Sequence, residues 1–263
     1  MRSSRLSLVP LALAGAIVLQ GCSSTSRDET AGWSPNKIYS EAQDERRSGN
    51  FDKAVDLYEK LEGRAAGTPL AQQAQLDKAF THYKAGEQAQ ALATIDRFMK
   101  LHPASPAMDY ALYLKGLINF NDNLGFLGNL SRQDLSERDQ KAAKESFESF
   151  RELVERFPNS RYAADSRARM TYIINSLAQY EVHVARYYYS RGAYVAAINR
   201  AQAALAEYSD APALEEALYI LIHSYDALGM TQLRDDARRV MASSYPGSEQ
   251  AFRRRDDPWW KLW

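Results

Sequence analysis

Turn-forming residues are scarce in this sequence. It has 13 glycines and 9 prolines in 263 residues, few for an all-β protein rich in turns. A single cysteine excludes an internal disulfide and any metal site built from several cysteines. No charge sign dominates: Lys and Arg number 33, as do Asp and Glu. The basic excess that marks most nucleic-acid binders is therefore missing, and no nucleic acid is expected as a partner. Long hydrophobic runs are missing too. The apolar stretch from Leu6 to Leu19 falls short of the roughly 20 residues a spanning helix needs. Ala, Leu, Gln, Glu, Arg and Lys dominate, all good helix formers. With 45% hydrophobic and 25% charged residues, the composition suits a globular helical body.

The first residues read as an address. Arg2 and Arg5 precede the apolar run, giving a charged and then a hydrophobic region of a signal peptide over residues 1–21. Leu19-Gln20-Gly21-Cys22 comes next, and it resembles the bacterial lipoprotein signal, with Gln20 a mild departure. That resemblance implies cleavage before Cys22, which would carry S-diacylglycerol and N-palmitoyl groups. One acyl chain holds a membrane only marginally, at about 0.8 kcal/mol per buried methylene, whereas several anchor stably. Ser23 after the cysteine, by resemblance to the sorting rule of Gram-negative lipoproteins, implies the outer membrane. Residues 22–34 are polar and small, and read as an acylated cysteine with a flexible tether.

The body repeats. Gly49-Asn50-Phe51-Asp52-Lys53-Ala54 and Gly192-Ala193-Tyr194-Val195-Ala196-Ala197 share a Gly-x-aromatic-x-x-Ala pattern, with a weaker copy starting at Gly86. Gly86 follows Gly49 by 37 residues, and Gly229 follows Gly192 by the same interval. Proline and serine mark the far ends, at His102-Pro103-Ala104-Ser105, Phe157-Pro158-Asn159-Ser160 and Tyr245-Pro246-Gly247-Ser248. Each unit reads as a helix, a tight turn at glycine and a second helix stopped near proline. Periods near 34 residues with this pattern are the tetratricopeptide signature. The expected fold is all-α, a solenoid of about five helix-turn-helix repeats over about 35–69, 70–106, 107–161, 162–212 and 213–248. Repeats one to three form an N-terminal part (35–161) and repeats four and five a C-terminal part (162–248). The third unit is too long, and 119–138 reads as an inserted loop, with its second helix from Asp139 to Phe157. Tyr162 to Leu177 is expected to extend the helix pairing and not to form a linker.

Chemistry is hard to find. His82, His102, His183 and His223 show no ligand spacing, and no nucleophile, phosphate-loop or dinucleotide motif occurs. No enzyme activity, cofactor or metal is expected. What remains is surface. Tyr39, Gln43 and Arg47 from repeat one, with Phe80, Tyr83 and Lys84 from repeat two, are expected to line a groove for an extended peptide whose terminal carboxylate meets the cations. For Phe80 the inter-repeat core is an equal reading. Tyr187, Tyr188 and Tyr189 cannot all be buried on one helix, so some must be exposed or cover a neighbour. Arg191 and Arg200 flank the Gly192 turn and are expected near one end of that repeat. They read as an interface pair, or as surface arginines paired with a nearby glutamate. The tail, residues 249–263, holds Trp259, Trp260 and Trp263. It could dock on the last repeat, on a partner or at a membrane interface, self-docking as a cap being the default.

With lipoprotein signal and repeats in place, the mature chain resembles the BamD family of outer-membrane β-barrel assembly lipoproteins. The resemblance rests on Ile95-Asp96-Arg97-Phe98, Asp109-Tyr110-Ala111-Leu112-Tyr113-Leu114-Lys115-Gly116-Leu117, Phe157-Pro158-Asn159-Ser160 and Arg191 through Arg200. It implies a non-catalytic scaffold anchored on the periplasmic face of the outer membrane. The implied partners are the POTRA region of BamA, other lipoproteins of that machine and the C-terminal segments of unfolded β-barrel precursors. Arg191 and Arg200 match the family's arginines beside the BamA contact, with Tyr188 placed among them. The Trp-rich tail has no counterpart in that pattern. The alternative reading is an envelope repeat lipoprotein that binds peptidoglycan or regulates a cell-wall enzyme.

Overall fold

The computed structural model describes residues 28–120 and 137–246. The lipid site expected at Cys22, residues 121–136 of the expected insertion and the Trp-rich tail lie outside the described residues. Among the described residues there are ten helices and no strand: α1 (Pro35–Arg47), α2 (Phe51–Arg64), α3 (Pro69–Lys84), α4 (Gln88–Leu101), α5 (Met108–Asn119), α6 (Glu137–Arg156), α7 (Ala163–Ser190), α8 (Tyr194–Glu207), α9 (Leu214–Ala227) and α10 (Thr231–Ser244). Successive helices pack as antiparallel neighbours, and the fold is a tetratricopeptide-type solenoid of five helix pairs.

Local chemistry sets the ends of these helices. Ser34 and Thr68 accept the backbone N–H of Lys37 and Ala71, each at 3.3 Å, and Pro35 and Pro69 follow at the first helical position. Such a cap is worth about 1 kcal/mol, and proline there gives up an N–H that has no partner in any case. Within a pair the turn is a left-handed glycine. Gly49 has φ +83° and Gly192 φ +75°, and the next N–H folds back onto the helix, Asn50 on Glu45 O at 2.9 Å and Ala193 on Tyr188 O at 3.0 Å. The same turn recurs at Gly86 and Gly229.

Three apolar clusters run along the solenoid. Ile38, Leu57, Tyr58 and Leu61 centre the first; Ile95, Phe98, Leu112 and Leu153 the second; Phe150, Ile173, Val182 and Ile222 the third. Each such buried side chain contributes about 1.5–3 kcal/mol, and every cluster draws on helices of more than one repeat. Helix α7 is 28 residues long. Ala163 at its start joins the second cluster and Ile173 to Ala185 the third, so one helix ties the two halves together. Residues 163–177 thus belong to a continuous helix. Helix α6 begins at Glu137, two residues ahead of the sequence expectation.

Candidate functional site: a tyrosine and arginine face on the first helices

The first helices of successive repeats are linked by polar and aromatic contacts. Asp77 on α3 is buried, and its carboxylate accepts from the Tyr39 hydroxyl at 2.8 Å and from Gln73 Nε2 at 3.2 Å. Arg46 meets the same carboxylate at 3.4 Å and lays its guanidinium over the Phe80 ring at 5.2 Å. Burial, and then the bond to Asp77, pushes the Tyr39 hydroxyl up to about 12. Burial likewise pushes Tyr110 on α5 up to about 12, with the Asp77 charge adding to it. The face continues through Tyr113, which stacks on Tyr162 at 4.6 Å and donates to Asp165 at 2.8 Å. Burial pushes Asp165 up, but its bonds to Arg169 and Tyr113 outweigh this and leave it below the usual carboxylate range. Arg161 covers the Tyr162 ring at 4.8 Å, and Arg169 covers Phe120 at 4.6 Å.

Most of the expected groove residues meet here. Tyr39 and Gln43 are half-buried side by side; Phe80 and Tyr83 pack their rings 6.2 Å apart at the edge of the second cluster. Phe80 has both characters assigned to it, an edge in the core and a face under Arg46. Lys84 is exposed at the end of α3. Arg47 does not join them. It is 69% exposed and pairs with Asp44 at 3.1 Å. Seven residues of helix bring Arg46 back to within about 20° of Tyr39, whereas eight overshoot by about 80°. The sequence reading also missed Asp77, because the charge at the centre of this face is negative and one acidic residue in a helix carries no signal of burial. A terminal carboxylate would meet Arg46 only in competition with Asp77.

At the α7–α8 turn the tyrosine run divides. Tyr187 is 50% exposed and lies under the Arg191 guanidinium at 4.7 Å; Tyr188 and Tyr189 are half-buried against the third cluster. Arg200 pairs with Glu181 on α7 at 3.2 Å. Glu181 precedes Arg191 by ten residues, about 15 Å of helix, so the arginines lie at different heights of the repeat and not at one end. Val195 is exposed beside the turn, as are Leu228, Met230 and Leu233 around the neighbouring α9–α10 turn.

Among the described residues no group of three or more His, Cys, Asp or Glu is placed to hold a metal, and no helix is long and apolar enough to cross a membrane. The histidines are dispersed: His82 pairs with Glu87 at 2.6 Å, His102 with Gln75 at 3.2 Å, His223 lies 4.3 Å from the Tyr219 ring, and His183 is exposed.

A family model described as an outer membrane lipoprotein, YfiO, matches residues 32–240. The outer membrane protein assembly factor BamD of Neisseria meningitidis serogroup B is 48% identical over 259 residues, 97% of each chain. BamD of Vibrio cholerae is 37% identical over 85% of this chain and 92% of its own, and BamD of Haemophilus influenzae 32% over 89% and 88%. The helical repeats and the tyrosine–arginine face are thus those of a chain that belongs to the YfiO family of outer membrane lipoproteins.

Proposed function

We propose that this chain is a non-catalytic scaffold of the outer-membrane β-barrel assembly machine, held to the periplasmic face of the outer membrane through an acylated Cys22. Its relatives are named as outer membrane protein assembly factors, and the likeness to the Neisseria protein covers 97% of the chain. The observation that carries the mechanism is the row of partly exposed rings and cations shared by α1, α3, α5 and α7. An extended, aromatic-rich precursor segment could lay its backbone along that row, with side chains alternating toward the rings. Arg46, Arg161 and Arg169 would give polar register without a deep pocket.

The second surface serves a folded partner. Arg191 with Tyr187, and the exposed apolar side chains around the two C-terminal turns, combine directed bonding with area, the pattern of an interface anchor. We assign it to the POTRA region of BamA, with Tyr187 in place of the half-buried Tyr188 as the projecting ring.

Photo-crosslinkers at Tyr83 and at Tyr187, in cells making β-barrels, test both assignments. Position 83 should trap barrel precursors and position 187 BamA. Capture of neither, with the chain pelleting instead with isolated cell wall, would support the peptidoglycan-binding alternative and overturn this reading.

A further inference from the structure

Residues 28–34 precede the first helix and are folded onto the first repeat. The Asp28 carboxylate closes a turn by accepting the N–H and the hydroxyl of Thr30, at 3.1 and 2.7 Å. The N–H of Ala31 then donates to Asp28 O and that of Trp33 to Thr30 O, both at 2.9 Å. Thr30 is 3% exposed. Trp33 packs against the first apolar cluster, with the Lys37 ammonium 4.4 Å from its ring centre. Ser34 follows as the cap of α1.

Two cations at the end of α2, Lys60 and Arg64, stand one helical turn apart and grip this segment. Lys60 Nζ donates to one Asp28 oxygen at 2.9 Å, and Arg64 to the other at 2.6 Å. The same guanidinium donates to the Thr30 hydroxyl at 2.9 Å and to the Thr30 carbonyl. The bond from Lys60, and then that from Thr30, holds the Asp28 carboxyl well below the usual carboxylate range. One such partly exposed pair contributes little. Here four bonds from α2 converge on a single turn whose backbone is already closed.

The position of this turn limits how far the body can stand from Cys22. Asp28 follows Cys22 by six residues, and that much chain reaches at most about 21 Å. With residues 28–34 released, the free chain would run to Pro35 and reach about 45 Å.

We propose that Asp28, Lys60 and Arg64 form a clamp that fixes the standoff of repeat one from the lipid surface, keeping the clamped turn within about 21 Å of the anchored cysteine. The clamp rests on the acylated Cys22 proposed above. It holds α1, with Tyr39 and Gln43 of the groove, beside the bilayer that a barrel precursor must enter. A short tether keeps the local concentration of that groove at the membrane high.

Residues 22–263 are coupled through Cys22, the one thiol in the sequence, to maleimide-headgroup lipid in phosphatidylethanolamine–phosphatidylglycerol vesicles. A dye-bearing unnatural residue replaces the exposed Ser40 on α1, and energy transfer to rhodamine-headgroup lipid is measured. Transfer should fall about twofold in Lys60→Ala with Arg64→Ala, and to the same level when seven Gly and Ser residues are inserted between positions 27 and 28. Asp28→Ala lies outside the helices and carries the test alone if the double variant loses helicity. Equal transfer in Asp28→Ala and the unsubstituted chain overturns the proposal. So does equal transfer after the insertion, which would mean that repeat one is held by direct contact with lipid. The coupling is chemical, so neither result depends on acylation in cells; the intact mass of chain extracted from membranes reports that separately.

Discussion

The Arg200 guanidinium on α8 reaches the Glu181 carboxylate on α7 at 3.2 Å, with the glutamate side chain 11% exposed and the arginine 47%. The residue that resembles a partner-binding arginine therefore also neutralises a nearly buried carboxylate within its own repeat. Arg200→Glu would set two carboxylates face to face and should cost about 1–2 kcal/mol, below the range for a fully buried pair because Arg200 is half open to water. Arg191→Glu, at the exposed turn, should stay within about 0.5 kcal/mol. Urea midpoints check both. An unshifted Arg200→Glu midpoint would show that Glu181 does not need its partner, and only then does loss of binding in that variant report binding alone.

Gly116 faces the buried ring of Phe150 so closely that a methyl group there would overlap it, and Ser146 donates to the Gly116 carbonyl at 2.8 Å. Gly116→Ala should destabilise by about 1–3 kcal/mol, since neither helix can withdraw without losing that bond. Gly63, inside α2 with open space around it, is the control. Gly63→Ala should stabilise by about 0.4–1 kcal/mol. Thermal unfolding should move the two variants in opposite directions.

Lys78 and Glu62 form an ion pair at 2.7 Å with side chains 9% and 10% exposed, joining α3 to α2. Removing one member strands the other charge, so Glu62→Gln should cost about 3 kcal/mol or more. Replacing both, Glu62→Leu with Lys78→Met, should recover most of that loss. A double variant as unstable as the single one would mean that the pair contributes more than mutual neutralisation.

Tyr39 keeps its proton from its ordinary value of 10 up to about 12. Below pH 10 folded and unfolded chains both hold it. Between 10 and 12 only the folded chain does, so stability falls as pH rises through that window. Urea midpoints of Tyr39→Phe should fall less steeply there than those of the unsubstituted chain, while the two curves run parallel below pH 9 or so. Parallel curves throughout would show that burial and the Asp77 bond together do not raise this hydroxyl in solution.

The repeat plan was legible because its signals are local. A glycine that must take positive φ, an alanine five residues on and a proline at the far end each act within a few residues, so linear spacing suffices to find them. Tyr39 and Gln43 were legible for the same reason, as residues one helical turn apart on a single face. Arg46 was missed in favour of Arg47 because their difference is an angle of helix rotation, small in sequence and decisive in space. Tyr187 and Tyr188 could not be told apart, since burial depends on which side of α7 receives α8 and α9.

The sequence by itself determined an all-helical repeat chain, because helix propensity and turn geometry are properties of neighbouring residues. The tertiary structure alone decided that a buried carboxylate, Asp77, sits at the centre of the tyrosine–arginine face and that Glu181 occupies Arg200. Those contacts join residues far apart in the chain, and their charges are set by burial, which exists only once the helices have stacked.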